Sequence, residues 1–244
     1  MERGTPFELG LLRGLRYAEA MPEVEAALPA WFEASAVPDA VVIKRQRVFR
    51  KNDLIFKFSG PGLGMKDALR PSYAMRAARA HFRILPVRSP VPYLAVDERR
   101  GGRLINSLLV SEFIKGDFLT EAWEDPASVV ALPIFLADMH RAGIMHGDLH
   151  AANFIWNGSE WVLLELEGLR NPLQKLLRKK FVTLTWSAIL RSTPSMPLPL
   201  MRETYNRYVD LVGWKFDVEG VWKQAQIDAA HVIASRAPDA FDRP

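Results

Sequence analysis

Hydrophobic and polar positions recur with two different periods along this chain, and the period changes near residue 115. At the start, Leu11, Leu12, Leu15, Ala18 and Met21 fall near helical spacing, interrupted by Pro22, so residues 1–39 read as an N-terminal helical extension. The next segment is different. "AVVIKRQRVF" and "DLIFKFSG" are short β-rich runs separated by "RKND" and predict a hairpin. "SGPGLG" (59–64) is a loop by its glycines and proline, and "SYAMRAARAHFRI" (72–84) is a helix with Ser72 at its N-cap. "VPYLAVDE" and "INSLLVSEF" predict two further strands joined around "RRGG". Residues 40–115 therefore read as a β-rich lobe with a mostly antiparallel sheet and one helix.

Beyond a linker near 113–118 the pattern becomes helical, and residues 116–244 read as a second, larger lobe. "DPASVVALPIFLADMHRAG" has Asp125 as N-cap, Pro126 at the first helical position and Gly143 as a stop. Pro133 inside it predicts a kink or a delayed start. Two short strands, "NFIW" and "EWVLLEL", flank a tight turn at "NGSE", and helices are expected over 172–191, 198–212 and 218–235. The fold class is α+β in two lobes.

Composition narrows the chemistry. In 244 residues there is no cysteine, which removes disulfides, thiolate nucleophiles and cysteine-based zinc sites, and fits a reducing compartment. The opening "MERGTPFELGLL" lacks the basic and apolar regions of a signal peptide, and no apolar run reaches the roughly 18 residues of a spanning helix. The net charge of +4 is concentrated in "KRQRVFRK" (44–51) and "QKLLRKKF" (174–181). Either run suits phosphates or an anionic membrane, or is a solvated face. The basic residues are not interleaved with aromatics as in a nucleic-acid module, so no nucleic acid is expected.

The densest polar stretch is "IMHGDLHAANFIW" (144–156). Asp148 and Asn153 lie five apart, and the strand pair that follows ends in Glu165. One carboxylate placed to accept a hydroxyl proton, with an asparagine and a second carboxylate to hold a divalent cation, makes a workable phosphate site. Lys57 lies within the apolar strand "LIFKF", where an ammonium group is costly unless it meets anions. His146 and His150 are four apart, but with a glycine between them and no HExxH pattern they make a poor zinc pair.

"HGDLHAANF" resembles the catalytic loop of kinase-like phosphotransferases that read HGDxHxxN. With "LLVSEFIKGD" before it and "LLELEGLR" after it, the chain looks most like the Kdo/WaaP lipopolysaccharide kinase family over roughly residues 40–210. The resemblance implies a protein-kinase-like fold that uses ATP with Mg²⁺ or Mn²⁺. It gives Asp148 as catalytic base and Asn153 and Glu165 as metal ligands. Lys57 becomes the phosphate-binding lysine, and the backbone near Glu112 and Phe113 meets adenine. His146 supports the loop without doing chemistry. The implied acceptor is a sugar hydroxyl of a glycolipid, reached from the cytoplasmic membrane face, with residues 173–184 as a possible contact to anionic lipid.

The sequence departs from the family at three places. "ELE" (Glu165, Glu167) stands where an Asp-x-Asp pattern is usual, the helix 72–84 has no glutamate for Lys57, and "GPGLG" follows Lys57 instead of preceding it. These departures keep a nucleotide-binding pseudokinase open beside an enzyme. An aminoglycoside- or choline-kinase-like enzyme would need an acidic acceptor pocket, against which the basic helical lobe speaks.

Overall fold

The computed structural model describes residues 4–17, 19, 21–44, 47–60, 71–84, 87–146, 149–166, 169–170 and 178–236. The chain divides into two compact units, Met1–Leu85 with Ser89–Ile114, and Pro86–Arg88 with Lys115–Pro244.

The first unit is built on seven antiparallel strands: β1 (Thr5–Leu9), β2 (Leu12–Arg16), β3 (Val41–Lys44), β4 (Val48–Lys51), β5 (Leu54–Ser59), β6 (Pro92–Arg100) and β7 (Arg103–Glu112), in the order β1-β2-β6-β7-β5-β4-β3. Strand alternation gives the sheet two different faces. Phe56, Phe58, Leu94, Val96, Leu108 and Val110 point to one side, where helix α1 (Pro22–Ala34) buries Leu28, Trp31 and Phe32 against them. On the other side, helix α2 (Tyr73–Arg83) brings Ala74 and Ala78 onto Ala95, with Leu109 packed alongside. Only small residues at that contact let helix and sheet approach closely. Ser72 caps α2 as expected, its Oγ accepting from the Met75 amide at 3.2 Å.

The expected N-terminal helix is a correction. Its first part is the β1–β2 hairpin, paired Leu9↔Leu12 across Gly10 and Leu11, with Gly10 at φ +60°. Pro22 opens α1 instead of breaking a helix. The leucine spacing at 11, 12 and 15 fits a helix and a hairpin equally until the pairing of β2 with β6 selects the strand. That pairing demands Gly14, because a Cβ there would lie 2.1 Å from the Ala95 carbonyl oxygen. "AVVIKRQRVF", read as one run, is also two strands, β3 and β4.

The second unit has β8 (Asp117–Phe118), the short helix α3 (Leu119–Ala122), helix α4 (Pro126–Arg141), β9 (Met145–His146), a 3₁₀ turn (Ala151–Asn153), β10 (Phe154–Trp156), β11 (Trp161–Leu163) and β12 (Leu169–Arg170). Helices α5 (Arg178–Ser192), α6 (Leu198–Val212) and α7 (Val218–Arg236) complete it. Helix α4 starts at Pro126 and runs through Pro133 without a delayed start. Asp125 is its cap, with one oxygen accepting from the Ala127 amide at 2.9 Å and the other from Trp156 Nε1 at 2.7 Å. Trp161 Nε1 donates to the Ser128 carbonyl at 2.9 Å. Trp156 and Trp161, the two tryptophans nearest the polar loop, thus pin the start of α4 and are buried.

The core of this unit centres on Trp186, Tyr205 and Tyr208, all fully buried. His140 lies among them. Its Nδ1 pairs with Tyr208 Oη at 2.7 Å, its Nε2 lies 3.3 Å from Thr185 Oγ1, and its ring stacks on Trp214. Burial lowers the His140 pKa to about 4 and raises that of Tyr208.

Candidate functional site

Within the first unit, parity decides where Lys57 points. It pairs with Val48 and Leu109, and Leu109 pairs with Ala95, so Lys57 shares the α2 face of the sheet. There its Nζ sits 4.6 Å from the centroid of the Tyr73 ring, at the first turn of α2. The helix without an acid thus meets the lysine through an aromatic face, a cation–π contact. Tyr73 is a residue that the sequence reading missed, and its position directly after the Ser72 cap was the available signal.

Glu112 ends β7, beside the strand that carries Lys57, and Phe113 follows it. Their backbone amides are committed to the residues just before β6 and β5: Glu112 N donates to the Val91 carbonyl and Phe113 N to the Asp53 carbonyl, both at 2.9 Å. A carboxylate oxygen of Glu112 accepts from the Val91 amide at 3.1 Å. The Arg50 guanidinium lies 3.8 Å over the Phe113 ring. Among the described residues the next amide, that of Ile114, has no hydrogen-bond partner.

In the second unit the polar loop runs from β9 to β10. Asp148 lies outside the described residues, as does Glu167, but both flanks of the loop are fixed. His146 is buried, and its Nε2 donates to the Glu165 carbonyl. A carbonyl oxygen only accepts, so this bond puts the ring proton on Nε2. Leu149 packs into the core while its carbonyl accepts from Arg191 of α5 at 3.4 Å. Arg191 is a second residue that the sequence reading missed; nothing in its local pattern sets it apart. Asn153 is buried at the end of the 3₁₀ turn, and its carbonyl accepts from the Leu164 amide at 2.9 Å. Two backbone-directed bonds, one from each side of the loop, thus bring Asn153 and Glu165 to the same edge of the β10–β11 hairpin.

Asn153 and Glu165 are hard oxygen donors of the kind Mg²⁺ and Mn²⁺ take. Cations bound mainly through substrate phosphates need only one or two protein carboxylates. The described residues contain no cluster of three histidine, cysteine or acidic side chains arranged around a metal. The donor set fits a phosphate-bridged cation better than an all-protein cage. His146, one of the pair weighed for zinc, donates to the Glu165 carbonyl.

No family model matches the sequence, and no curated protein matches it. Solved structures do. WaaP in complex with acyl carrier protein superposes with a TM-score of 0.52 over 94% of this chain and 89% of that one, at 16% identity. The fold is kinase-like. Two further likenesses are the bifunctional kinase-methyltransferase WbdD (TM-score 0.49, 14% identity, 75% of this chain) and the Drosophila melanogaster PAN3 pseudokinase (TM-score 0.42, 12% identity, 84% of this chain). This chain spans 42% of the WbdD chain. At 16% identity the fold is what this chain shares with WaaP.

The basic helix is only partly described. Residues 173–177 of the expected membrane-facing segment 173–184 lie outside the described residues. In the remainder Phe181 is buried and Leu184 is 40% exposed. Among the described residues no helix is long and apolar enough to cross a membrane.

Proposed function

We propose that the chain is an ATP-dependent phosphotransferase acting on a sugar hydroxyl of a lipopolysaccharide core or related glycolipid. The observation that carries this reading is the junction of the β10–β11 hairpin with the polar loop, where His146 and Leu164 hold Asn153 and Glu165 together. In the reading, Asp148 orients and deprotonates the acceptor hydroxyl. Asn153 and Glu165 hold Mg²⁺ or Mn²⁺, which neutralises phosphate charge when bound, and Lys57 supplies a further positive charge. Most of the acceleration comes from positioning and electrostatics. Because the Glu112 and Phe113 amides are engaged in the sheet, the reading gives adenine the amide of Ile114 instead.

The test is transfer of labelled γ-phosphate from ATP to purified lipopolysaccharide core. Transfer is expected from the parent chain and is expected to vanish in Asp148→Asn, with nucleotide binding retained. Turnover that survives in Asp148→Asn sinks the assignment.

A second reading is a pseudokinase, a nucleotide-responsive scaffold. What favours it is the "ELE" run (Glu165, Glu167) where an Asp-x-Asp pattern is usual in the resemblance, and the absence of a glutamate from the helix 72–84. A neighbour bound to acyl carrier protein adds a carrier protein to the candidate partners of either reading.

A further inference from the structure

The α1 face of the first unit's sheet holds a cavity of about 930 Å³, on the opposite side from Lys57. Its apolar wall is made by Leu12 of β2, Pro29 and Phe32 of α1, Phe58 of β5 and Ile105 of β7. At the β1–β2 turn, Leu9 and Leu11 also line it while being 38% and 58% exposed, so the rim is apolar as well. Leucines left in water at a hairpin tip beside a cavity are what a ligand's aliphatic part would cover.

The polar part is small and its charges are unevenly matched. Glu98 is paired with Arg100 at 2.8 Å and is buried, so those two charges offset each other. Asn106 donates to Ser35 Oγ at 3.3 Å and accepts from the Ser107 amide. Glu33 stands exposed on the rim, where solvent screens it. Arg47 remains. It too is exposed, at the turn before β4, where it lines the cavity with Phe58 and Gly60, and among the described residues no acidic side chain pairs with it. It belongs to the basic run 44–51, whose other described members do not line the cavity: Lys51 donates to the Pro38 carbonyl, Arg50 lies on Phe113, and Lys44 is absent from the cavity wall.

We propose that this cavity binds a single-chain anionic amphiphile, its aliphatic chain on the leucine–phenylalanine wall and its anionic head group on Arg47. The site goes beyond the phosphotransferase reading and requires neither nucleotide nor metal.

The test is calorimetric titration of the whole chain, without nucleotide, with lauroyl lysophosphatidic acid below its micelle concentration. Monolaurin, which has the chain without the charge, and inorganic phosphate, which has the charge without the chain, are the comparison ligands. One-to-one binding of the lysophosphatidic acid is expected, with monolaurin at least about tenfold weaker and phosphate undetected. Arg47→Gln should weaken the lysophosphatidic acid about tenfold and leave monolaurin unchanged. Ile105→Trp, which fills the cavity, should abolish both, with thermal denaturation confirming that the variant is folded. No binding by the parent chain overturns the proposal. So does an affinity that neither substitution alters, or phosphate binding as tight as that of the lysophosphatidic acid. Loss of transfer in Asp148→Asn leaves this result untouched, so the two readings fail separately.

Discussion

The ring of His146 donates to the backbone carbonyl of Glu165, nineteen residues further along the chain. The histidine is buried, and the bond ties the start of the polar loop to the segment after β11 that carries the candidate metal ligand. His146→Ala leaves that carbonyl without its donor and should cost about 1–3 kcal/mol. Urea unfolding reads this as a lower midpoint at unchanged slope. An unaltered midpoint would remove His146 from the loop's support.

Glu165 carries the longer acid where the resemblance has aspartate. If its carboxylate holds a cation, ATP should raise the melting midpoint of the parent chain only when Mg²⁺ or Mn²⁺ is present, because a ligand of the native state alone stabilises it. Glu165→Ala and Asn153→Ala should each abolish the metal-dependent part. A metal-independent rise that neither substitution touches would favour the pseudokinase reading.

Ile114 offers the first unengaged amide after β7. Ile114→Pro removes that N–H. ATP affinity should fall about tenfold, the loss of roughly one good hydrogen bond. Ile114→Val should bind as the parent does. Equal affinity of all three chains would take adenine off this amide.

The cation–π contact between Lys57 and Tyr73 predicts different outcomes for two substitutions. Tyr73→Phe keeps an aromatic face and should cost less than Tyr73→Leu. Tyr73→Leu removes it and should cost about 0.5–1 kcal/mol in chemical denaturation. Equal effects from both would mean that the tyrosine hydroxyl is what matters.

His140 makes the fold sensitive to acid. Its folded pKa is about 4, below the unfolded value of 6.5, so the unfolded chain binds the proton more readily. The neutral ring's contribution is complete above pH 6.5 and is lost as pH falls from there towards 4, on the order of 3 kcal/mol in all. Replacing the ring by phenylalanine, His140→Phe, should flatten this part of the stability profile between pH 7 and 4.5. Parallel profiles for parent and variant would show that His140 does not set it.

Much of the fold was legible because it is encoded locally. The Ser72 and Asp125 caps, the proline opening α4, the glycine pair between β6 and β7 and the turn at Asn157 each act within four residues. The first 35 residues were not legible, because Leu11, Leu12 and Leu15 satisfy both periods. What separates strand from helix there is a partner, β6, lying some eighty residues away. The candidate site divides the same way. "HGDLHAANF" marks itself by composition, whereas Tyr73 and Arg191 are ordinary residues in ordinary helices.

The sequence by itself determined the element types over most of the chain, the α+β class and the residues with the chemistry to handle phosphate. Those follow from side-chain period, capping and residue type, which are properties of neighbouring positions. The tertiary structure alone decided which face of the sheet Lys57 occupies and that Arg47 lines the cavity on the α1 side. It also decided that Tyr73 meets the lysine, that the Glu112 and Phe113 amides are taken, and that His146 reaches Glu165. Each of these depends on strand pairing and on contacts between segments far apart in the chain, and a period of two or of 3.6 residues carries no information about them.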